Sequence, residues 1–406
     1  MRPVAKALEC IRAGYERRRK RLAEHGVLGY LREARGYVLI IVLLVTSLLV
    51  SVSSEFLITA QTDVHYIRKF SQKLKAQMIA RAGLTIGAML LEADKRGIGA
   101  GIIPGSSGNS SIDTWQDIWA IEYPELPFEN GFLKIRITDE NAKINLSVLA
   151  NEATDRSVYY AITQRFFLNM GLPMDLADTL IDWVDVDDAR YPYGAESADY
   201  YMTLPSPYKA KNAEMDSIQE MLLVKLITPE IYYGLGGGNF GRETGLVEDN
   251  RGRRIDSSTL MKAIPESKNS SGTEETRFDD LGLPIGKERS RRLSDYLRVH
   301  GERTDFTGEL NKINVNTASF RVLSAISDDM TDDVVAQIIR RRQQQPYTSV
   351  DELSDFVTDE TVRKNVLGVR SYIFQLEITG RVSDTRTVIR AFYNRETKKF
   401  YSMAEQ

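Results

Sequence analysis

The chain has 406 residues, 42% of them hydrophobic and 27% charged, with a formal net charge of −3. That length accommodates a sizeable core and two lobes beside any membrane segment, and the composition is ordinary for a globular protein. One cysteine, Cys10, and three scattered histidines, His25, His65 and His300, argue against a disulfide scaffold, a His-rich zinc centre and a Ser-His-Asp triad.

The first 36 residues form a basic leader, with ten Lys or Arg against four acids and the cluster Arg17-Arg18-Arg19-Lys20-Arg21. From Tyr37 to Ser54 no residue is charged. Eighteen helical residues span about 27 Å, close to the hydrocarbon thickness of a bilayer. The positive-inside rule keeps the leader cytoplasmic and exports the chain beyond Leu57. A net +6 in the leader leaves −9 for the rest, which disfavours nonspecific nucleic-acid binding. The long basic segment and the lack of an Ala-x-Ala site argue against an ordinary signal peptide. Without an exported cysteine, the exported body must be held by its core or by bound metal.

Beyond Glu55, Ile58, Val64, Ile67, Leu74, Met78, Ile86 and Leu90 recur at three- and four-residue steps. This predicts an amphipathic helix continuing to about Asp94, with Gly83 and Gly87 as its weak points and a Gly/Ser-rich loop after it. Phe132–Thr138 alternates with period two and reads as a strand, and Asp139-Glu140-Asn141 supplies turn chemistry. Residues 150–233 read as mostly helical. The Gly-rich run Gly234–Gly245 lacks a Gly-Lys-Ser/Thr ending and is a surface loop rather than a phosphate cradle. Residues 248–293 read as a mobile connection.

The chain also contains a duplication. Lys143-Ile144-Asn145-Leu146-Ser147 recurs as Lys312-Ile313-Asn314-Val315-Asn316. Each copy leads into a short helix and then an amphipathic one, Asp175–Val184 or Asp332–Arg341. Each copy closes on Pro-Tyr (Pro207-Tyr208; Pro346-Tyr347) and a Ser-x-x-Glu capping box at Ser217 or Ser349. Ile373–Thr379 and Thr387–Tyr393 alternate as strands around a turn at Gly380–Ser383, and Lys399–Tyr401 is a candidate last strand.

The expected fold is α+β: a long N-terminal helix packed on a small antiparallel sheet, with a large, mostly α-helical insertion. Its parts are the leader 1–36, the helix 37–95, the start of the α/β domain 96–149, and a helical insertion 150–311 containing the loop 234–293. A second helical module 312–370 and C-terminal strands 371–406 complete it.

The densest chemistry is the acidic run Asp182, Asp185, Asp187 and Asp188, then Glu196 and Asp199, with Arg190 the only cation near in sequence. Such carboxylates repel one another unless solvated or neutralised by a cation, and their oxygens suit calcium. Counted from Asp185, Asp187 and Glu196 fall at positions three and twelve of an EF-hand loop. Ala189 and Arg190 stand where a ligand and a glycine belong, so this is not an EF-hand. A solvated loop with helix-capping acids, or a glycosidase-like carboxylate pair, are the other readings.

The second copy is similar to helix-hairpin-helix modules of DNA-binding proteins, whose Gly-x-Gly turn reaches a phosphate. Its turn, Ile326–Met330, carries two acids and no glycine, which repels phosphate. Arg340-Arg341-Arg342 is the basic cluster nearby.

The whole arrangement resembles the minor pseudopilin K family of type II secretion systems. The likeness lies in Arg35-Gly36 before the apolar helix, Asp139–Leu146, Asp182–Asp187, Gly194-Ala195-Glu196 and Lys312–Ala318, in family order over most of the chain. The resemblance implies cleavage by prepilin peptidase after Gly36 and N-methylation at Tyr37. It also implies calcium in the globular part, and a complex with I- and J-type minor pseudopilins and the major pseudopilin. It places the anchor in the inner (cytoplasmic) membrane as a single pass with the bulk in the periplasm, and implies no enzyme activity. Ile41 stands at the fifth mature position, where other pseudopilins carry a Glu that would pair with a neighbour's amino terminus. A subunit at the filament tip has no subunit above it to engage. The rival function is a membrane-anchored periplasmic DNA-binding protein of a type IV pilus-like machine.

Overall fold

A computed structural model describes residues 2–98, 111–150, 155–234, 247–248, 254–255, 292–299 and 309–405. In chain order the principal elements begin with α1 (Arg2–Lys95), β1 (Leu126–Phe128), β2 (Gly131–Asp139), β3 (Ile144–Asn145), α2 (Asp155–Asn169), α3 (Asp175–Val184) and α4 (Pro229–Tyr233). They continue with β4 (Leu297–Arg298), β5 (Ile313–Asn314), α5 (Phe320–Ile326), α6 (Asp332–Gln344), α7 (Glu360–Val366), β6 (Leu367–Gly368), β7 (Ile373–Val382), β8 (Thr385–Asn394) and β9 (Lys399–Glu405). The chain divides into two units, Met1–Leu74 and Lys75–Gln406.

The first unit is the long part of α1. Helix extends through the leader to Arg2, further than the apolar pattern alone predicts. The only proline there, Pro3, lies in the first turn, where its missing N–H costs nothing. Within α1 the segment from Tyr37 is long and apolar enough to cross a membrane, and none of its apolar window is buried.

In the second unit α1 ends as the sequence predicts. Gly97 adopts φ +70°, Gly97 N–H donates to Asp94 O at 2.8 Å and Ile98 N–H to Ala93 O at 3.0 Å, a Schellman closure that needs the left-handed residue. The Gly/Ser-rich loop expected after it falls on residues 99–110, outside the described ones.

This end of α1 packs on a five-stranded antiparallel sheet of order β1-β2-β7-β8-β9. The inward positions Leu133, Ile135, Ile137, Leu376, Ile378, Ile389 and Ala391 are buried with Ala76, Ile79, Ala80 and Leu84 of the helix. The packing corrects two expectations. Gly83 and Gly87 are not weak points but contact positions: a Cβ on Gly83 would stand 2.4 Å from Ile378 Cγ2, and one on Gly87 2.6 Å from Leu376 Cδ2. With Ala76 and Ala80 they form a small-residue stripe that draws the helix onto the sheet. Gly380 is likewise not a turn residue. It pairs with Leu133 and Thr387 inside β7, and a Cβ there would lie 2.1 Å from Ala76 O. The turn falls at Ser383-Asp384, with Ser383 at φ +54°.

Everything from β3 to β6 is inserted between β2 and β7. The insertion has its own core, including Tyr159, Phe166, Leu180, Trp183, Tyr201, Val322, Ile338 and Tyr347. The duplication is visible in space. Ile144-Asn145 pairs in parallel with β4, and Ile313-Asn314 pairs in parallel with β6. Asn145 Oδ1 accepts from Ser147 N (3.1 Å) as Asn314 Oδ1 accepts from Asn316 N (3.0 Å). Both capping boxes form, at Ser217/Glu220 and Ser349/Glu352, but each starts a 3-10 turn rather than an α-helix. Residues 150–233 are less helical than expected: beyond α3, turns and short 3-10 pieces run to α4. The run of acids, Gly194 and the prolines at 192, 205 and 207 account for that. The loop expected at 234–293 lies outside the described residues except for Gly234, the ladder Val247–Glu248 with Arg254–Ile255, and Arg292-Leu293.

The insertion is fastened to the sheet by buried polar groups. Asp139 Oδ2, at the end of β2, accepts from Ser371 Oγ at 2.6 Å and from Thr317 Oγ1 at 2.5 Å. Asn141 donates to Leu310 O and Lys312 O and accepts from the amides of Tyr372 and Ile373. Arg395 forks onto both oxygens of Asp113 at 2.6 Å and donates to Ser371 O at 2.7 Å. Each of these buried groups finds partners, the condition under which such a network specifies one arrangement.

Candidate metal centre

The acidic run sits in the connection between α3 and the Pro-Tyr closure of the first copy of the duplication. The second copy makes the same connection through one residue, Gln345, before Pro346; the first uses Asp185 to Ser206. The acids are therefore on an insertion peculiar to one copy.

The structure sorts the six predicted residues into two sets. Asp182, Asp185 and Glu196 are buried, at 0%, 2% and 4% exposure. Asp187, Asp188 and Asp199 are exposed and shape the loop. Asp187 Oδ1 accepts from Ala189 N at 2.8 Å, and Asp188 Oδ1 from Asn212 Nδ2 at 3.0 Å. Asp199 pairs with Arg190 at 2.8 Å and accepts from Glu196 N at 2.8 Å.

The inner set is under-satisfied. Asp182 Oδ1 accepts from Tyr191 N at 3.0 Å and Asp185 Oδ2 meets Arg156 Nη2 at 2.5 Å. Asp182 Oδ2, Asp185 Oδ1, Glu196 Oε1 and Oε2, and Asn212 Oδ1 are buried with no hydrogen-bond partner. Arg156, from α2, is a cation that sequence proximity misses, so Arg190 is not the only one. Asn212 is also missed: it sits beyond the acidic run at φ +45°, and its backbone N–H donates to Trp183 O at 3.0 Å. Gly194 has to be glycine, because a Cβ would stand 1.9 Å from Asp182 Oδ2.

Burial, reinforced by Asp182, Asp185 and Asp188, raises Glu196 from 4.5 to about 8. Burial raises Asp182 to about 6, although the Tyr191 amide pulls the other way. Asp185 is also raised by burial, against the pull of Arg156. Burial pushes Asp199 up as well, but Arg190 and the Glu196 amide outweigh it and leave Asp199 below its ordinary value.

Unpartnered buried acceptors cost about 1–3 kcal/mol each, and the donor set of carboxylate and amide oxygens without nitrogen or sulfur fits calcium. A tighter triplet, Asp94, Asp113 and Asp117, has ligand oxygens all within 4.8 Å. That one is already answered by Arg395, which reaches Asp94 at 3.2 Å as well as Asp113.

The second copy shows what an internal cation does in the same frame. Asp185 lies ten residues after Asp175, the first residue of α3, and Arg342 lies ten after Asp332, the first of α6. Arg342 is buried and donates to Val315 O at 2.6 Å and Ala318 O at 2.7 Å. Arg341 is paired with Glu352. Two of the three residues in the basic cluster are thus committed to the fold, and the DNA-binding alternative finds no support. Asp329 in the neighbouring turn accepts from Thr358 N and Oγ1, which keeps an acid where a phosphate would go.

A carboxyl with a raised folded pKa holds a proton that the unfolded chain has already released. Its stabilisation is complete below the unfolded pKa and drains away as pH rises through the folded one. In chelator, the melting temperature should therefore fall between about pH 5 and pH 8, the window set by Glu196, with Asp182 contributing in its lower part. Glu196→Gln should make that fall shallower; a calorimetric profile parallel to wild type contradicts the assignment.

The fold defines a class: a pilin-like α+β fold whose N-terminal helix is long and apolar enough to cross a membrane, with a two-copy helical insertion in its sheet. Residues 142–236 match a first domain of the family described as Type II secretion system (T2SS), protein K, and residues 313–370 match a second domain under the same description. The chain resembles that family over both segments. A chain from Escherichia coli (strain K12) named for type II secretion system protein K is 24% identical over 212 residues, covering 50% of this chain and 61% of its own length. The protein thus spans about three-fifths of that curated relative. A chain in the crystal structure of the GspK-GspI-GspJ complex from the enterotoxigenic Escherichia coli type 2 secretion system shares the fold. Its TM-score is 0.54 at 15% identity, over 84% of this chain and 99% of that one.

Proposed function

We propose that the protein is a minor pseudopilin at the tip of a type II secretion pseudopilus, starting or capping the filament that moves folded proteins across the outer membrane. The observation that carries this reading is the insertion of the whole helical outgrowth between two neighbouring strands, β2 and β7, of a sheet packed on the anchor helix. In this reading so large an insertion hinders a further subunit from adding beyond it, and the helix from Tyr37 has the length and apolar composition to join a bundle of like helices.

In this reading the helix crosses the inner membrane with the outgrowth in the periplasm. Prepilin peptidase cuts after Gly36 and Tyr37 becomes the methylated terminus. The I- and J-type minor pseudopilins and the major pseudopilin are the partners. Calcium is held by Asp182, Asp185 and Glu196 with the Asn212 carbonyl, while Asp187, Asp188 and Asp199 shape the loop around it. Bound calcium supplies the positive charge that fixes the acidic loop on α3. The role is structural rather than catalytic, since carboxylates 0–4% exposed offer a sugar or peptide no approach.

The test is gold labelling of an epitope on the outgrowth in cells that overproduce the filament. Label at one end of each fibre is expected. Label spaced along the shaft overturns the tip assignment.

A further inference from the structure

The outer face of the sheet, turned away from α1, is basic. Alternation along β2, β7 and β8 places Lys134, Arg136, Arg381, Arg386 and Arg390 there, around the single acid Glu377. Register brings them together: Arg381 is directly opposite Arg386, and Glu377 lies between Arg136 and Arg390. Like charges directly opposed across strands are destabilising, so this arrangement works against the sheet when nothing covers it. Two acids from the preceding loop reach the rim. Glu125 meets Arg381 at 2.6 Å, and Glu122 lies 3.5 Å from Arg136 and 3.8 Å from Lys134. Arg390 meets Glu377 at 2.7 Å. Arg386 is exposed and has no ion-pair partner among the described residues.

Five cations against three acids leave an excess of positive charge, on a chain whose residues after the leader carry −9. The face is also mixed rather than uniformly basic. Glu377 sits in its middle, the paired row Thr379–Val388 crosses it, and Phe132 lies under the Arg381 guanidinium at 4.4 Å. A sequence-blind polyanion or lipid site needs no central acid. A protein partner does use one, because interleaved charges fix register and reject wrong neighbours.

Resting on the pseudopilin reading, we propose that this sheet face docks an acidic face of a sister pseudopilin subunit, with Arg381, Arg386 and Arg390 as its principal contacts. Arginine is enriched at protein interfaces and its planar fork suits carboxylates.

The test uses the full-length protein in detergent, with the I- and J-type subunits of the same secretion system as probes. Wild type, Arg386→Glu/Arg390→Glu, the milder Arg386→Ala and a control Arg340→Glu on the exposed surface of α6 are compared. Binding of one subunit should weaken about tenfold in the double variant and less in Arg386→Ala, with the control unchanged. Raising salt from about 50 mM to about 300 mM should weaken wild type in the same way. Wild-type capture of neither subunit overturns the pseudopilin reading and the proposal with it. Undiminished capture by the double variant and by Arg386→Ala overturns the docking proposal alone. So does a loss confined to adsorption on phosphatidylglycerol vesicles, which would make the face a lipid site.

Discussion

Gly380→Val is expected to lower the melting temperature of the full-length protein by roughly 5 °C, a large effect for a single change in a chain of this size. The pilin-like half holds together where α1 meets β7, and at Gly380 the two backbones touch. A Cβ would lie 2.1 Å from Ala76 O and 2.8 Å from Ala80 N. These are main-chain atoms of a helix and cannot rotate away, so the helix must lift from the sheet and open the contacts of Ile79, Leu133 and Ile378. Overpacking that displaces backbone belongs with the most destabilising single substitutions, about 4 kcal/mol or more. Gly171→Ala separates clash from backbone strain. Gly171 has φ +73° but nothing within 4 Å of its Cβ position, so about 1 kcal/mol is expected there. Calorimetry of both variants checks this; equal losses would show that the close approach does not hold the sheet.

Chelation of calcium is expected to produce the second large effect. At a concentration about 100 times Kd, a ligand bound to the folded state alone contributes about 2.7 kcal/mol. For a chain of this size that corresponds to a fall of roughly 3 °C on adding EGTA. The five buried oxygens without donors, on Asp182, Asp185, Glu196 and Asn212, are the source of the effect. Asp182→Asn and Glu196→Gln should each shrink the difference between calcium and chelator while raising the melting temperature in chelator, because they remove charge repulsion. Magnesium at the same concentration should stabilise less, since it holds its own water and asks for a smaller octahedral cage. Superimposed melting curves with and without EGTA would leave the loop an ordinary capped turn.

Much of the fold was legible because local pattern and tertiary role agree. Phe132–Thr138, Ile373–Thr379 and Thr387–Tyr393 alternate, and each lies in the sheet. The duplicated Lys-Ile-Asn motif holds the same backbone turn in both copies. The missed features all depend on atoms distant in sequence. Gly380 and Gly83 resemble turn and weak-helix signals until helix and sheet are seen in contact. Arg156 and Asn212 reach the acidic site from outside the run Asp182–Asp199, so its composition says nothing of them. Arg395 looks like a hairpin residue, yet it is buried against Asp113. The exposed acids Asp187, Asp188 and Asp199 could not be told from the buried ones, because sequence gives residue type and spacing but not which side of a loop faces inward.

The central claim is that the helix beginning at Tyr37 enters a filament after the leader has been removed. Mass spectrometry of the N-terminal peptide from membrane-extracted protein tests it most directly. The expected species begins at Tyr37 with a methylated amino group. An intact Met1, or a terminus near Ser54, would contradict the account.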